Sequence, residues 1–318
     1  MYGWSNIQCE GSQNMLSLKI KDIVFKNPVM VASGTFGYGH EASDVVDLSK
    51  FGGIVTKSVT RYPREGNPPP RICEVTSGML NSIGLANLGV EAYIKEKLPF
   101  LNKVDTNVIV NIAGTKIEDY IETLEILESV EGSHVGYEIN VSCPNVKEGG
   151  IEFGVSSKLT KELTEELRAR TDKILIMKLS PNVTSISEIG KAAQDGGADA
   201  VSAINTLIGM SIDINSRRPK LSTKTGGLSG PCIKPVALAN VFKLYNSLDI
   251  PIIGIGGISD HKDIIEFLLA GASFVQFGTI NYKYPNLIDS IPKALENYCI
   301  DNATKSINEI IGSLKVND

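Results

Sequence analysis

The sequence predicts an α/β protein, a (β/α)8 TIM barrel with an N-terminal β-hairpin and inserted loops at the C-terminal face. Three observations carry that expectation. Eight short apolar runs of strand length succeed one another along 318 residues, and most are separated by amphipathic, helix-like stretches. Their C-terminal ends carry glycine-rich, amide-rich or reactive clusters, as the mouth of a parallel barrel does. With 42% hydrophobic residues the chain can bury a substantial core, and its length suits one barrel with insertions better than two average domains.

The elements follow in order. Residues 1–14 are polar and aperiodic, so a disordered N-terminal extension is expected ahead of a single domain over 15–318; Met15 as the working start and a loosely attached tail are both open readings. A short hairpin at 16–26 comes next. The strand candidates are Val29–Ala32, Gly53–Lys57, Val108–Ile112, Tyr137–Val141, Ile174–Leu179, Ala200–Ile204, Pro251–Ile255 and Phe274–Phe277. Helical periodicity is clearest at Glu118–Glu128 and Leu159–Arg168. Two long connections, at about residues 59–106 and 207–232, read as lids or binding loops. The runner-up is an open doubly wound sheet, which announces a dinucleotide site by Gly-x-Gly-x-x-Gly directly after its first strand. Here that strand runs instead into Ala32-Ser33-Gly34-Thr35-Phe36-Gly37.

Charge and cysteine usage exclude several function classes. The formal net charge is -5, with 31 basic and 36 acidic residues interspersed, which offers no footprint for nucleic acid or a membrane surface. Cys9, Cys73, Cys143, Cys232 and Cys299 are odd in number and lack Cys-x-x-Cys spacing, so no disulfide framework, zinc site or iron–sulfur cluster held by this chain alone is expected. The apolar runs are strand-sized and the N-terminus lacks a basic segment followed by an apolar one. Neither a membrane span nor a signal peptide is therefore indicated, and a cytoplasmic, reducing setting is expected.

The strand ends hold the candidate chemistry. The seventh candidate stops at Gly256-Gly257-Ile258-Ser259-Asp260 and the eighth at Gly278-Thr279, where a barrel commonly cradles a phosphate with backbone N–H groups and a helix N-terminus. Either turn alone is an ordinary tight turn; together they favour a phosphorylated ligand. Lys57 closes the second candidate and Lys178 the fifth. Desolvating an unpaired ammonium is costly, so the pair implies a buried anion between them, although either one alone reads as exposed. Asn81, Asn111, Asn140, Asn145 and Asn205 supply amides that both donate and accept, which suits a planar heterocycle, while each singly is a common turn former. Cys143 ends the run Tyr137-Glu138-Ile139-Asn140-Val141-Ser142-Cys143-Pro144-Asn145. An inert thiol, a nucleophile, a metal ligand and a proton-transfer base are its four readings. His40, His134 and His261 fall outside this cluster and read as surface or capping residues.

Assembled along the chain, these motifs resemble the dihydroorotate dehydrogenases, specifically the class 1B catalytic subunit. The resemblance runs from Leu16 onward through Asn27-Pro28-Val29-Met30, Ala32-Ser33-Gly34, Thr56-Lys57-Ser58-Val59-Thr60, Gly66-Asn67-Pro68 with Pro70-Arg71, Asn81-Ser82-Ile83-Gly84-Leu85, the Asn140–Asn145 tip, Asn205-Thr206 and Gly227-Leu228-Ser229-Gly230. It implies FMN in the barrel mouth and oxidation of (S)-dihydroorotate to orotate in pyrimidine synthesis. Positions matching the family's flavin contacts are Ser33, Lys57, Ser58, Asn111, Asn140 and Lys178, with Ile204, Gly230, Gly256, Gly257, Gly278 and Thr279 farther along. Substrate-facing matches are Lys57, Asn81, Ser82, Ile83, Gly84 and Leu85, then Asn140, Asn205 and Thr206, with Asn145 a further candidate.

By the same resemblance Cys143 is the base that takes a proton from substrate C5 while hydride leaves C6 for flavin N5. Lys178 would lie near flavin N1 and O2, and Lys57 would bridge flavin and substrate carboxylate. Electrons would pass to NAD through a partner subunit carrying FAD and a [2Fe-2S] cluster, around a homodimeric core of a heterotetramer. Asn205-Thr206-Leu207 with Gly209-Met210, and Gly230-Pro231-Cys232-Ile233-Lys234-Pro235, match class 1B, although Cys232 stands where a smaller residue is expected. The alternatives are a fumarate-dependent class 1A enzyme and a non-redox barrel aldolase or isomerase with a Schiff-base lysine.

Overall fold

Strands buried on both faces read as unbroken apolar runs, and Ile174–Leu179, with all six residues buried, shows why these segments settle in the middle of a parallel sheet. The computed structural model describes residues 14–141 and 153–316. Most of the expected N-terminal extension, together with Cys143 and Asn145, lies outside the described residues. Asn14, assigned from sequence to the extension, belongs to the fold: its amide donates to Lys26 O at 3.0 Å.

The eight barrel strands are β1 (Val29–Val31), β2 (Gly53–Val55), β3 (Asn107–Ala113), β4 (His134–Asn140), β5 (Ile174–Leu179), β6 (Ala200–Ala203), β7 (Ile252–Ile255) and β8 (Phe274–Phe277). They pair in parallel and in chain order, and β8 closes on β1 through the register Gln276 with Met30. Each expected strand is present, with ends shifted by a few residues at most. The Ala203–Ile204 peptide after β6 is cis.

Helices between the strands bury one stripe each. Ser157–Arg168 packs Thr160, Leu163, Thr164 and Leu167 inward, the i, i+3, i+4, i+7 pattern of an amphipathic helix, and the Ser156 hydroxyl caps its start by accepting from Leu159 N. The hairpin Leu18–Ile20 with Ile23–Phe25 closes the N-terminal end of the barrel. There Phe25, fully buried, meets Phe274 edge-on with ring centroids 5.1 Å apart.

The two long connections are not irregular loops. They pool four strands into one antiparallel sheet in the order Leu207–Met210, Thr225–Ser229, Gly78–Asn81, Ile72–Val75. The first connection also holds the helix Gly89–Glu96. Each connection contributes one antiparallel pair, and the sequence concealed the sheet because its central pairing joins the two connections; Asn81 and its partner Gly227 are 146 residues apart. Among the described residues no helix is long and apolar enough to cross a membrane.

Candidate active site

Three glycine turns converge at the C-terminal ends of β7, β8 and the Thr225–Ser229 strand. The Thr279 hydroxyl donates to Ser229 Oγ at 2.8 Å, and a Cβ built on Gly257 would lie 2.9 Å from Gly230 O. Gly257 also sits at φ +76°, so both its conformation and its neighbours demand glycine. Gly278 differs. Its φ is negative, -105° with ψ -110°, and an added Cβ would meet nothing nearer among the described residues than Ala32 Cβ at 3.9 Å. Protein packing does not require glycine there, and the room it leaves is suited to a ligand's close approach to backbone. Beside it the helix His261–Leu269 begins, its N-terminus capped by Asp260 Oδ1, which accepts from Lys262 N and Asp263 N. Carboxylates thus already occupy the first N–H groups of this helix, Ser259 N donating likewise to Asp263 Oδ2 at 2.6 Å, so the helix N-terminus expected from sequence to hold a phosphate is satisfied internally and the glycine turns are left as the donor set.

Ser33 and Gly34 follow β1, and Ile204, buried, follows β6, so both predicted segments border the same mouth. Lys57 stands just past β2, where its backbone N–H donates to Gly37 O at 2.8 Å. Its half-buried ammonium has no hydrogen bond or ion pair with any described residue. Burial, and then the charge of Arg71, hold that ammonium below lysine's usual range, while Glu41 opposes them weakly. A cation so placed is a counter-charge for an anion.

Lys178 is different, and here the expected buried anion takes another form. Its Nζ lies 3.3 Å from Oε1 of Glu138, a residue that is completely buried and was not singled out from the sequence. The anion facing Lys178 is thus the protein's own carboxylate. Asn111 joins the same group: Nδ2 donates to Glu138 Oε1 at 2.7 Å, and Oδ1 accepts from the Ser58 hydroxyl at 2.5 Å. Ser202 and Gln276 complete it from β6 and β8. The signal that would have found Glu138 is strand parity, since it shares a face of β4 with Asn140 two residues on.

The predicted substrate-facing residues gather at the rim. Asn205 Nδ2 donates to Asn140 Oδ1 at 3.1 Å, Thr206 N donates to Asn205 Oδ1 at 2.8 Å, and Asn81 Nδ2 donates to Gly227 O at 3.4 Å. Gly84 and Leu85 both have positive φ, and Ile83 O accepts from Asn67 N at 3.0 Å, so the segment of Gly66-Asn67-Pro68 braces the turn. Among the described residues the buried Ser82 hydroxyl has no hydrogen-bond partner, a polar group placed to meet a ligand.

The histidines need one correction. His40 is exposed and His261 starts a helix, but His134 is buried at the first position of β4, with Nε2 2.8 Å from the Tyr137 hydroxyl. It lies at the opposite strand end from the mouth, where the helix after β3 ends. Its polar character suggests the surface, whereas the phenol beside it satisfies one ring nitrogen in the interior.

Comparison with known proteins adds an independent line. A family model for dihydroorotate dehydrogenase matches residues 15–298. The "Dihydroorotate dehydrogenase B (NAD(+)), catalytic subunit" of Bacteroides thetaiotaomicron is 50% identical over 301 residues, covering 95% of this chain and 99% of that one. Proteins of the same description from Geotalea daltonii and Bacteroides fragilis are 51% and 48% identical, each covering 95% of this chain and 98% and 99% of their own lengths.

Proposed function

The chain belongs to the dihydroorotate dehydrogenase family, and on that premise we propose that it oxidises (S)-dihydroorotate to orotate with FMN in the barrel mouth, as the catalytic subunit of an NAD-linked enzyme. The observation that carries this reading is the convergence of a glycine phosphate cradle, one unpartnered lysine and a rim of asparagines at a single barrel end. Bound FMN would supply a two-electron acceptor for the hydride released from substrate C6.

The chain's own groups do the rest. Gly256, Gly257, Gly278 and Thr279 would hold the phosphate, with Gly230 and Ser33 beside them, and Ser58, Asn111, Asn140, Lys178 and Ile204 would line the ring. Lys57 faces the substrate carboxylate, and Asn81, Ser82, Ile83, Gly84, Leu85, Asn145, Asn205 and Thr206 orient the pyrimidine by amide, hydroxyl and backbone hydrogen bonds. Cys143, as thiolate, takes the proton from C5. A thiol titrates nearer neutrality than an alcohol, so no dedicated histidine is needed.

Cys143→Ala is expected to lower dihydroorotate turnover by roughly 10²–10⁴-fold while FMN stays bound at one per chain. Full turnover in that variant would refute the base. For the aldolase reading, Lys178 is ion-paired with Glu138 and is a poor Schiff-base lysine, whereas Lys57 is left available; it is the family match over residues 15–298 that favours the dehydrogenase.

The relatives' description as catalytic subunits supports a separate partner subunit, to which the proposal assigns electron transfer through FAD and a [2Fe-2S] cluster. The assembly we infer is a heterotetramer around a homodimeric core. The chain's free Cys73, Cys232 and Cys299 suit a reducing compartment, the cytoplasm.

A further inference from the structure

The interior of this barrel is crossed by a polar layer centred on one carboxylate. Barrels of this kind are filled mostly by branched apolar side chains. Here Asn111, Glu138, Lys178, Ser202 and Gln276, from β3, β4, β5, β6 and β8, meet instead, and each is buried. Glu138 Oε1 accepts from Asn111 Nδ2 at 2.7 Å and from Lys178 Nζ at 3.3 Å. Glu138 Oε2 accepts from Ser202 Oγ at 2.9 Å and from Gln276 Nε2 at 2.8 Å. Two donors on each oxygen describe an acceptor-only carboxylate held from four strands.

The two mouth lysines therefore have different electrostatic standing. Lys57 keeps its charge for a ligand, whereas the charge of Lys178 is offset by a fixed anion. Transfer of a hydride, two electrons with one proton, leaves an initially neutral flavin ring with one negative charge. Its ease of reduction thus depends on the net field of the groups beneath it.

We propose that Glu138 is a positioning residue for this site: as the fixed counter-ion of Lys178 it holds that ammonium at the strand end and lowers the reduction potential of the flavin. The inference rests on the FMN reading above. It assigns a role to a residue that need not touch flavin or substrate.

Glu138→Gln tests it, because the structure can absorb that change. Gln276 Oε1 is buried with no partner among the described residues, so its amide can turn over and accept from the NH₂ group that the substitution introduces. The remaining carbonyl oxygen at position 138 then keeps its bonds from Asn111 and Lys178. The substitution removes the charge at the cost of turning the Ser202 hydroxyl and leaving the Gln276 NH₂ group where its carbonyl oxygen now has no partner among the described residues, a cost that falls on stability rather than on the potential. In the FMN-loaded protein, dye-equilibrated redox titration is expected to show the reduced-to-oxidised ratio at a fixed potential raised about tenfold, some 30 mV for a two-electron couple. Glu138→Asp keeps the charge and is expected to stay nearer the parent potential.

A Glu138→Gln potential equal to the parent's, with only the melting temperature lowered, would overturn the role. Should the single variant not accumulate, Lys178→Gln is compared with Lys178→Gln/Glu138→Gln, which has no unpaired charge. The double variant is expected at the higher potential, and equal potentials would overturn the role. Parent protein that takes up no FMN would overturn the reading beneath the inference, whereas bound FMN at an unmoved potential overturns Glu138 alone.

Discussion

Gly278 and Lys57 show how much a single position can decide. Because an alanine Cβ at 278 meets no described atom closer than 3.9 Å, Gly278→Ala is expected to leave the apoprotein folded, at a cost of about 1–3 kcal/mol from its backbone at φ -105°, ψ -110°. It should nonetheless crowd a phosphate and weaken FMN binding by about tenfold or more, which flavin-fluorescence titration would read. Unchanged FMN affinity would remove Gly278 from the cradle. Lys57 carries a pH signature. Only its protonated form attracts a carboxylate, and burial beside Arg71 lowers the pH at which that form is lost. KM for dihydroorotate should therefore rise with pH, beginning below the range of a free lysine, and Lys57→Met should abolish the rise. Lys57 was legible from sequence because it breaks an apolar run at a strand end. Glu138 was not, because a single acid within an alternating strand looks the same whether it faces solvent or a barrel interior, and only closure of the barrel brings Lys178, Ser202 and Gln276 to it.

Among the elements, β4 joins both ends of the barrel. At its C-terminal end stand Glu138 and Asn140; at its start His134 is buried against Tyr137, whose hydroxyl donates to Glu128 Oε1 at 2.8 Å. Burial, then the charge of Lys173, depress His134 to about 4 from its usual 6.5, with Glu128 opposing. The unfolded chain binds this proton below about pH 6.5 and the folded chain does so only near pH 4. Stability should therefore fall by about 3 kcal/mol as pH drops through that window, and it is fully retained above it. Urea unfolding of His134→Gln between pH 7 and 4 should show a flatter acid limb; an unchanged limb would locate the loss elsewhere. The barrel strands themselves were readable since doubly buried parallel strands are continuous apolar runs. The mouth sheet was not, because its four strands are short and the pairing that joins its two hairpins, Gly78–Asn81 with Thr225–Ser229, spans almost half the chain.

At the scale of the whole molecule, one end of the barrel is sealed by the hairpin at Leu18–Phe25 and the other is ringed by lysine, asparagine and glycine. The closed order of eight parallel strands makes that ring possible, since it brings β1 beside β8 and so Ala32 beside Gly278. The account makes the chain a dehydrogenase half-reaction site whose electrons leave through a second protein. Anaerobic titration of the purified chain with dihydroorotate, followed by flavin absorbance, tests this most directly. The account expects one equivalent of substrate per chain to bleach one bound FMN with formation of orotate, and expects NAD to restore the colour only when the electron-transfer partner is added. A chain that carries no flavin, or a bound flavin that dihydroorotate leaves yellow, would contradict it.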